Sequence, residues 1–166
     1  FSHHLADTRF CHAANDNADG QVVVSGAKAA VERAVALAKG RGAKRAMLLN
    51  VSAPFHCALM QPAADAMAEA LAKVAIRQPV VPVVANVLAT PISDPEEIRH
   101  RLVEQVTGTV RWRESVQWLA AHGVGRLYEI GSGKVLTGLV KRIVDGVEGI
   151  AVGTPADVEK MVVDLV

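Results

Sequence analysis

A histidine that could do acid–base chemistry stands in the run VSAPFHCALM, residues 51 to 60. A neutral imidazole is the usual base for a serine or cysteine nucleophile, because its reference pKa of about 6.5 lies near working pH. His56 follows a proline and an aromatic residue, where a strand-like pattern gives way to a helical one. Open α/β sheets place functional groups at such strand ends. Its neighbour Cys57 is a poor nucleophile for it, since adjacent residues of extended chain point to opposite faces. No G-x-S-x-G elbow occurs in the 166 residues, so His56 has no evident serine to serve.

The glycine-rich run EIGSGKVLTG (129–138) is the second place where chemistry could reside. A phosphate loop would need Gly at 128 and Ser or Thr at 135, and the chain has Tyr128 and Val135. A dinucleotide fingerprint fits Gly131 and Gly133 but meets Leu136, and a nucleophile elbow around Ser132 meets Ile130. Two readings stay open: a tight strand-to-helix turn, or a helix start whose amides line a substrate cleft. His3, His4, Cys11 and His12, with His56 and Cys57, match no structural zinc spacing, and no H-E-x-x-H is present. No metal is expected. His100 and His122 fall on helical patterns, and His122 before Gly123 suits a helix C-terminus as a surface cation.

The elements that must position His56 alternate along the chain. QVVVSG (21–26) predicts a strand, AKAAVERAVALAKGRG (27–42) a helix stopped at its glycines, and AKRAMLLNV (43–51) a second strand. ANDNADGQ (14–21) predicts a turn-rich segment. After His56, Met60, Ala64, Met67 and Leu71 fall at helical spacing, with Pro62 tolerated in the first turn. VVPVVANV (80–87) predicts a buried strand, and DPEEIRHRLVEQV a helix capped by Asp94 with Pro95 at its first position. RWRESVQWLAAHG predicts a helix, RLYEIG a strand, KVLTGLVKRIV a helix, and AVGTPADVEKMVVDLV a strand end and a helix capped by Thr154. The alternation predicts a layered α/β fold with a largely parallel sheet, in which the first fifty residues form a smaller unit.

Bulk composition narrows the function classes. Apolar residues make up 51% of the chain and aromatics only 4%, so its core must be built from Val, Ala and Leu. Eighteen basic residues against 17 acidic ones give a formal charge of +1 without a basic stripe, which argues against nucleic acid as a partner. The longest apolar run, PVVPVVANVLA, is short and broken by proline, so no membrane span is expected. Two distant cysteines and no signal-peptide pattern point to reduced thiols in the cytoplasm. A start at Phe1 rather than Met is what a trimmed or cleaved chain would show.

SAPFHCALMQPAADAMAEAL, NDNADGQVVVSGAKAAVERA, RGAKRAMLLNVSAPFH and LYEIGSGKVLTGLVKRI together resemble the malonyl-CoA:acyl carrier protein transacylase family of bacterial type II fatty-acid synthesis. The resemblance is collinear from about Ala14 to the C-terminus. It implies an α/β-hydrolase-like large subdomain, of which residues 53–166 are the C-terminal part. Residues 1–52 are then the later part of an inserted ferredoxin-like small subdomain. It also implies ping-pong transfer: a serine takes malonyl from malonyl-CoA, and the phosphopantetheine thiol of acyl carrier protein then takes it from the serine. His56 matches the family's catalytic histidine. Gln105, in LVEQVTG, matches the position whose backbone carbonyl orients that ring. Phe55 matches a bulky position that narrows the acyl pocket against an α-methyl branch.

Coenzyme A enters as a thioester substrate and no cofactor is implied; the expected partners are acyl carrier protein and malonyl-CoA, and the expected state is a monomer. The family's serine elbow, its carboxylate-binding arginine and its oxyanion-hole loop lie upstream of the segment that these residues match. The 166 residues alone are therefore expected to be inactive. The alternatives are a non-catalytic carrier-protein or coenzyme A binding module, and a generic hydrolase of similar fold.

Overall fold

The computed structural model describes residues 10–165. Strands β1 (Cys11–Ala18) and β2 (Gln21–Gly26) form an antiparallel hairpin that turns at Asp19 and Gly20, with Gly20 at φ 72°. Helix α1 (Lys28–Gly40) follows directly, and Ala30 is its buried residue. The hairpin is joined to the rest of the chain by main-chain bonds from Asp16 N to Val110 O (2.9 Å) and from Val110 N to Ala14 O (2.8 Å). The Arg113 guanidinium adds a fork to the Asp16 carboxylate, with Nη2 2.6 Å from Oδ2.

Beyond a stretch without regular secondary structure, a 3₁₀ turn (Ala58–Met60) leads into α2 (Gln61–Leu71), whose first turn carries Pro62, where a missing N–H costs nothing. Arg99 donates to the carbonyls of Leu71 and Val74 and so closes the C-terminal end of α2. Two short strands, β3 (Val83–Ala85) and β4 (Thr90–Ile92), pair antiparallel. Helix α3 (Pro95–Glu104) opens on Asp94, whose Oδ1 accepts from Glu97 N at 2.8 Å. Helix α4 (Trp112–Ala121) ends before Gly123, which takes φ 83°. Then β5 (Arg126–Ile130), α5 (Val135–Ile143) and β6 (Glu148–Val152) make one β–α–β unit with parallel strands. Helix α6 (Pro155–Leu165) is capped by Thr154 and Asp157, each accepting from the other's backbone amide. No described helix is long and apolar enough to cross a membrane.

The core is alanine- and valine-rich, as the composition demands: Ala14, Ala18, Ala64, Ala85, Val116 and Val140 are buried. The class is α/β, but four expectations fail. Residues 43–51 form no strand; Leu48, Leu49 and Val51 lie about half exposed, and extended chain becomes a strand only where its N–H and C=O groups find a ladder. The strand expected at 80–87 shrinks to Val83–Ala85, because Pro82 cannot donate, and Val80 and Val81 are exposed rather than buried. Among the described residues the strands form three two-stranded sheets, of which only β5–β6 is parallel, not one largely parallel sheet. ANDNADGQ is likewise mostly strand, since Asn15 and Asp16 are laddered to Val23 and Val22 on one side and bridged to Val110 on the other.

Candidate active site

His56 sits at φ 56°, in the left-handed region that a β-carbon disfavours by about 1–2 kcal/mol. Local bonds hold the turn around it. Cys57 Sγ donates to Pro54 O at 3.1 Å, and Phe55 N donates to Ala53 O at 3.0 Å. Cys57 itself is extended (φ −147°, ψ 166°) and fully buried, whereas His56 stays half-buried. The two side chains therefore leave the backbone toward different surroundings. Phe55, the residue before His56, is 45% exposed among the described residues.

The His56 ring is aimed from across the fold. Its Nδ1–H donates to the backbone carbonyl of Gln105 at 2.9 Å, a contact between residues 49 apart in sequence. Gln105 caps the C-terminal end of α3, where the last carbonyls lack intrahelical donors and carry the helix's partial negative charge. A proton on Nδ1 leaves Nε2 as the basic nitrogen. Gln105 is fixed in turn: Asn86 Nδ2 donates to its Oε1 at 2.9 Å, and Arg111 N donates to Asn86 O at 3.0 Å. Arg111 also donates to Leu88 O at 3.0 Å and pairs with Glu114 at 2.5 Å. Hydrogen bonds from Arg111 hold the Glu114 carboxyl below its ordinary range, against the opposing effect of its desolvation.

A second histidine enters the site from β1. His12 Nε2 lies 2.7 Å from the backbone carbonyl of His56, and a carbonyl can only accept, so Nε2 carries the proton. The Phe10 ring meets the His12 ring edge-on at a centroid distance of 5.4 Å. The sequence alone placed His12 only in a scatter of potential ligands, and nothing in it marks Asn86. Neither role has a short-range signal, because their partners lie 44 and 19 residues away.

The other candidates resolve differently. In EIGSGKVLTG, Gly131 and Gly133 adopt φ 136° and 104°, as a strand-to-helix turn requires. The Glu129 carboxylate accepts from Leu136 N (3.1 Å), Thr137 N (2.7 Å) and the Thr137 hydroxyl (2.7 Å). These amides are thus already satisfied, which favours the turn over a ligand-binding helix start. An apolar cleft of about 250 Å³ is lined by Val84, Asn86, Ile98, Leu102 and Gln105; His56 does not line it, so it backs the site rather than forming it. His122 is exposed, donates from Nδ1 to Trp118 O at 2.8 Å and stacks on the Trp118 ring. Among the described residues no three His, Cys, Asp or Glu side chains are grouped to hold a metal; His3 and His4 lie outside them.

Comparison with known proteins gives this geometry a context. The profile of the acyl transferase domain matches residues 7–158. The chain is 54% identical over 142 residues to the malonyl CoA-acyl carrier protein transacylase of Salmonella typhimurium, covering 86% of this chain and 46% of that protein. It superposes on the acyl-carrier-protein-S-malonyltransferase of Bartonella henselae with a TM-score of 0.90 and 54% identity, over 98% of this chain and 52% of that one. A malonyl-transacylase solved in complex with its type II PKS acyl-carrier protein superposes with a TM-score of 0.89 at 45% identity, over 97% and 52% of the two chains. The chain spans about half the length of the relatives it matches. A match over residues 7–158, nearly the whole chain, makes it a member of the acyl transferase domain family.

Proposed function

We propose that these residues are the histidine-bearing part of a transacylase that moves malonyl from malonyl-CoA to the phosphopantetheine thiol of acyl carrier protein. The observation that carries this is His56, with Nδ1 held on the Gln105 carbonyl at 2.9 Å and Nε2 left basic. In the proposed reaction Nε2 accepts the proton of a serine as it attacks the malonyl thioester. The imidazolium then returns that proton to the departing coenzyme A sulfur, leaving a malonyl-serine ester. In the second half His56 deprotonates the carrier thiol, which attacks the ester, and the serine oxygen is reprotonated. A thiolate is a good leaving group, so a neutral carbonyl suffices to orient the ring where harder reactions use a carboxylate.

The serine belongs to no G-x-S-x-G motif within these residues, so we propose that they are inactive alone and act only beside a nucleophile-bearing segment. Residues 53–166 are proposed as the C-terminal part of an α/β-hydrolase-like subdomain, and residues 1–52 as part of a ferredoxin-like one. The half-exposed Phe55 ring beside His56 would border the acyl group. Coenzyme A is a substrate carrier in this scheme, and the reaction calls for no further cofactor.

The test is the mass of acyl carrier protein incubated with malonyl-CoA and the full protein carrying these residues. A malonyl adduct is expected, and His56→Ala should lower its rate by roughly a hundredfold or more, the scale of a general base. Near-normal transfer by His56→Ala refutes the assignment. Carrier binding with no adduct at all would instead identify a non-catalytic module.

A further inference from the structure

We propose that His12 is a positioning residue for the acyl-transfer site: by donating from Nε2 to the backbone carbonyl of His56, it fixes the base in its left-handed conformation. This rests on reading His56 as the base. Gln105 constrains the ring at Nδ1 alone, and one hydrogen bond leaves an imidazole free to pivot about that contact. The backbone from which the ring projects is at φ 56°, a conformation an L-residue leaves readily unless something holds it. His12 supplies that hold at 2.7 Å, from a different element and across 44 residues. The ring and its backbone are then pinned by two separate parts of the fold, and Nε2 keeps one direction.

The donor stands on a rigid base. His12 is paired with Ser25 in the β1–β2 ladder, the start of β1 is tied by Ala27 N to Phe10 O at 2.9 Å, and the Phe10 ring buttresses the imidazole. The strand is bridged further along to Val110, which lies five residues beyond Gln105. The hairpin and the C-terminal end of α3 thus hold the two sides of one residue. His12 touches no reacting atom in this arrangement; it acts through His56.

The test compares His12→Gln with His12→Met in the full protein. The two replacements have nearly the same length and volume, but only glutamine can donate to the His56 carbonyl. His12→Met should lower kcat for malonyl transfer about ten- to a hundredfold, the scale of a small misplacement of a catalytic group, with KM for malonyl-CoA unchanged within about twofold. His12→Gln should retain kcat within about threefold of the parent on the same reasoning. Equal losses in both variants, a full-rate His12→Met, or a loss confined to KM would overturn the proposal. If His12→Met does not fold, His12→Gln decides: near-parental kcat supports the role, and a tenfold loss in the folded variant overturns it, by the same scale. His56→Ala is run beside them, because normal turnover there removes the base assignment itself, whatever the His12 variants do.

Discussion

Gly26 closes β2, and its missing side chain is where the start of β1 enters. A β-carbon placed there would stand 2.2 Å from Phe10 O and 2.8 Å from Cys11 Cα, where ordinary contact begins near 3.4 Å. Gly26→Ala must therefore push the backbone at residue 10 back by about 1 Å, and both offending atoms are main chain, which cannot rotate aside. The displacement breaks Ala27 N to Phe10 O, a loss of about 1 kcal/mol. Forcing volume into a packed contact adds roughly 1–3 kcal/mol. The sum, about 2–4 kcal/mol, lowers the melting temperature of a chain this size by roughly 5–15 °C. The assay is thermal unfolding followed by far-UV circular dichroism, with Gly40→Ala as control. Gly40 is the last residue of α1, and an added β-carbon there meets nothing within 4 Å. The control should be neutral or raise stability by up to about 1 kcal/mol. A Gly26→Ala midpoint within about 2 °C of the control, well short of the expected drop, would refute the close-approach argument. Because His12 is two residues from Phe10, the same substitution should also move the His56 ring resonances, whereas Gly40→Ala should leave them in place.

Glu129 offers a pH signature. Hydrogen bonds from the Thr137 hydroxyl and then its amide hold the Glu129 carboxyl below its ordinary 4.5, so its contribution is fully present above pH 4.5 and is lost as pH falls through the lowered value. The melting-temperature gap between the parent and Glu129→Gln should be widest at neutral pH and close in acid; a gap independent of pH contradicts this. Asn86→Leu leaves Gln105 Oε1 without its donor, which should cost about 1 kcal/mol in denaturant unfolding. In the full protein it should reduce kcat more than it raises KM, and an unchanged kcat would separate Asn86 from the site. Phe55→Ala should relax discrimination against methylmalonyl-CoA by the equivalent of about 1–3 kcal/mol, one methyl group in an apolar pocket. Competition between the two thioesters measures it, and an unchanged ratio removes Phe55 from the acyl pocket.

Helices were the legible part of the chain. Asp94 with Pro95, Pro62 in a first turn, Thr154 before Pro155 and glycine after α4 are local signals, and each helix begins or ends within a residue or two of them. Strands were less legible, because a strand is defined by its partner. MLLNV (47–51) and VVPVV (80–84) have strand composition, but in the described chain they mostly lack a ladder, while ANDNA, poor in strand formers, is one because it has partners on both sides. The site divides in the same way. His56 is conspicuous in sequence from its proline, its aromatic neighbour and its place at an element boundary. The carbonyl that holds it belongs to Gln105, and a backbone group leaves no mark in the identity of its residue; only the resemblance to a family pointed there. His12 and Asn86 carry no such pointer, since each acts across a distance that periodicity does not sample.

The left-handed backbone at His56 sets two kinds of selection against each other. Glycine or asparagine would occupy that conformation more comfortably than histidine, recovering about 1 kcal/mol of backbone strain. Under the proposed mechanism either replacement removes the base. Either replacement also gives up the bond to Gln105 O, a loss of about the same size, so a search that scores folding alone finds position 56 near neutral where one that scores acyl transfer must reject any change.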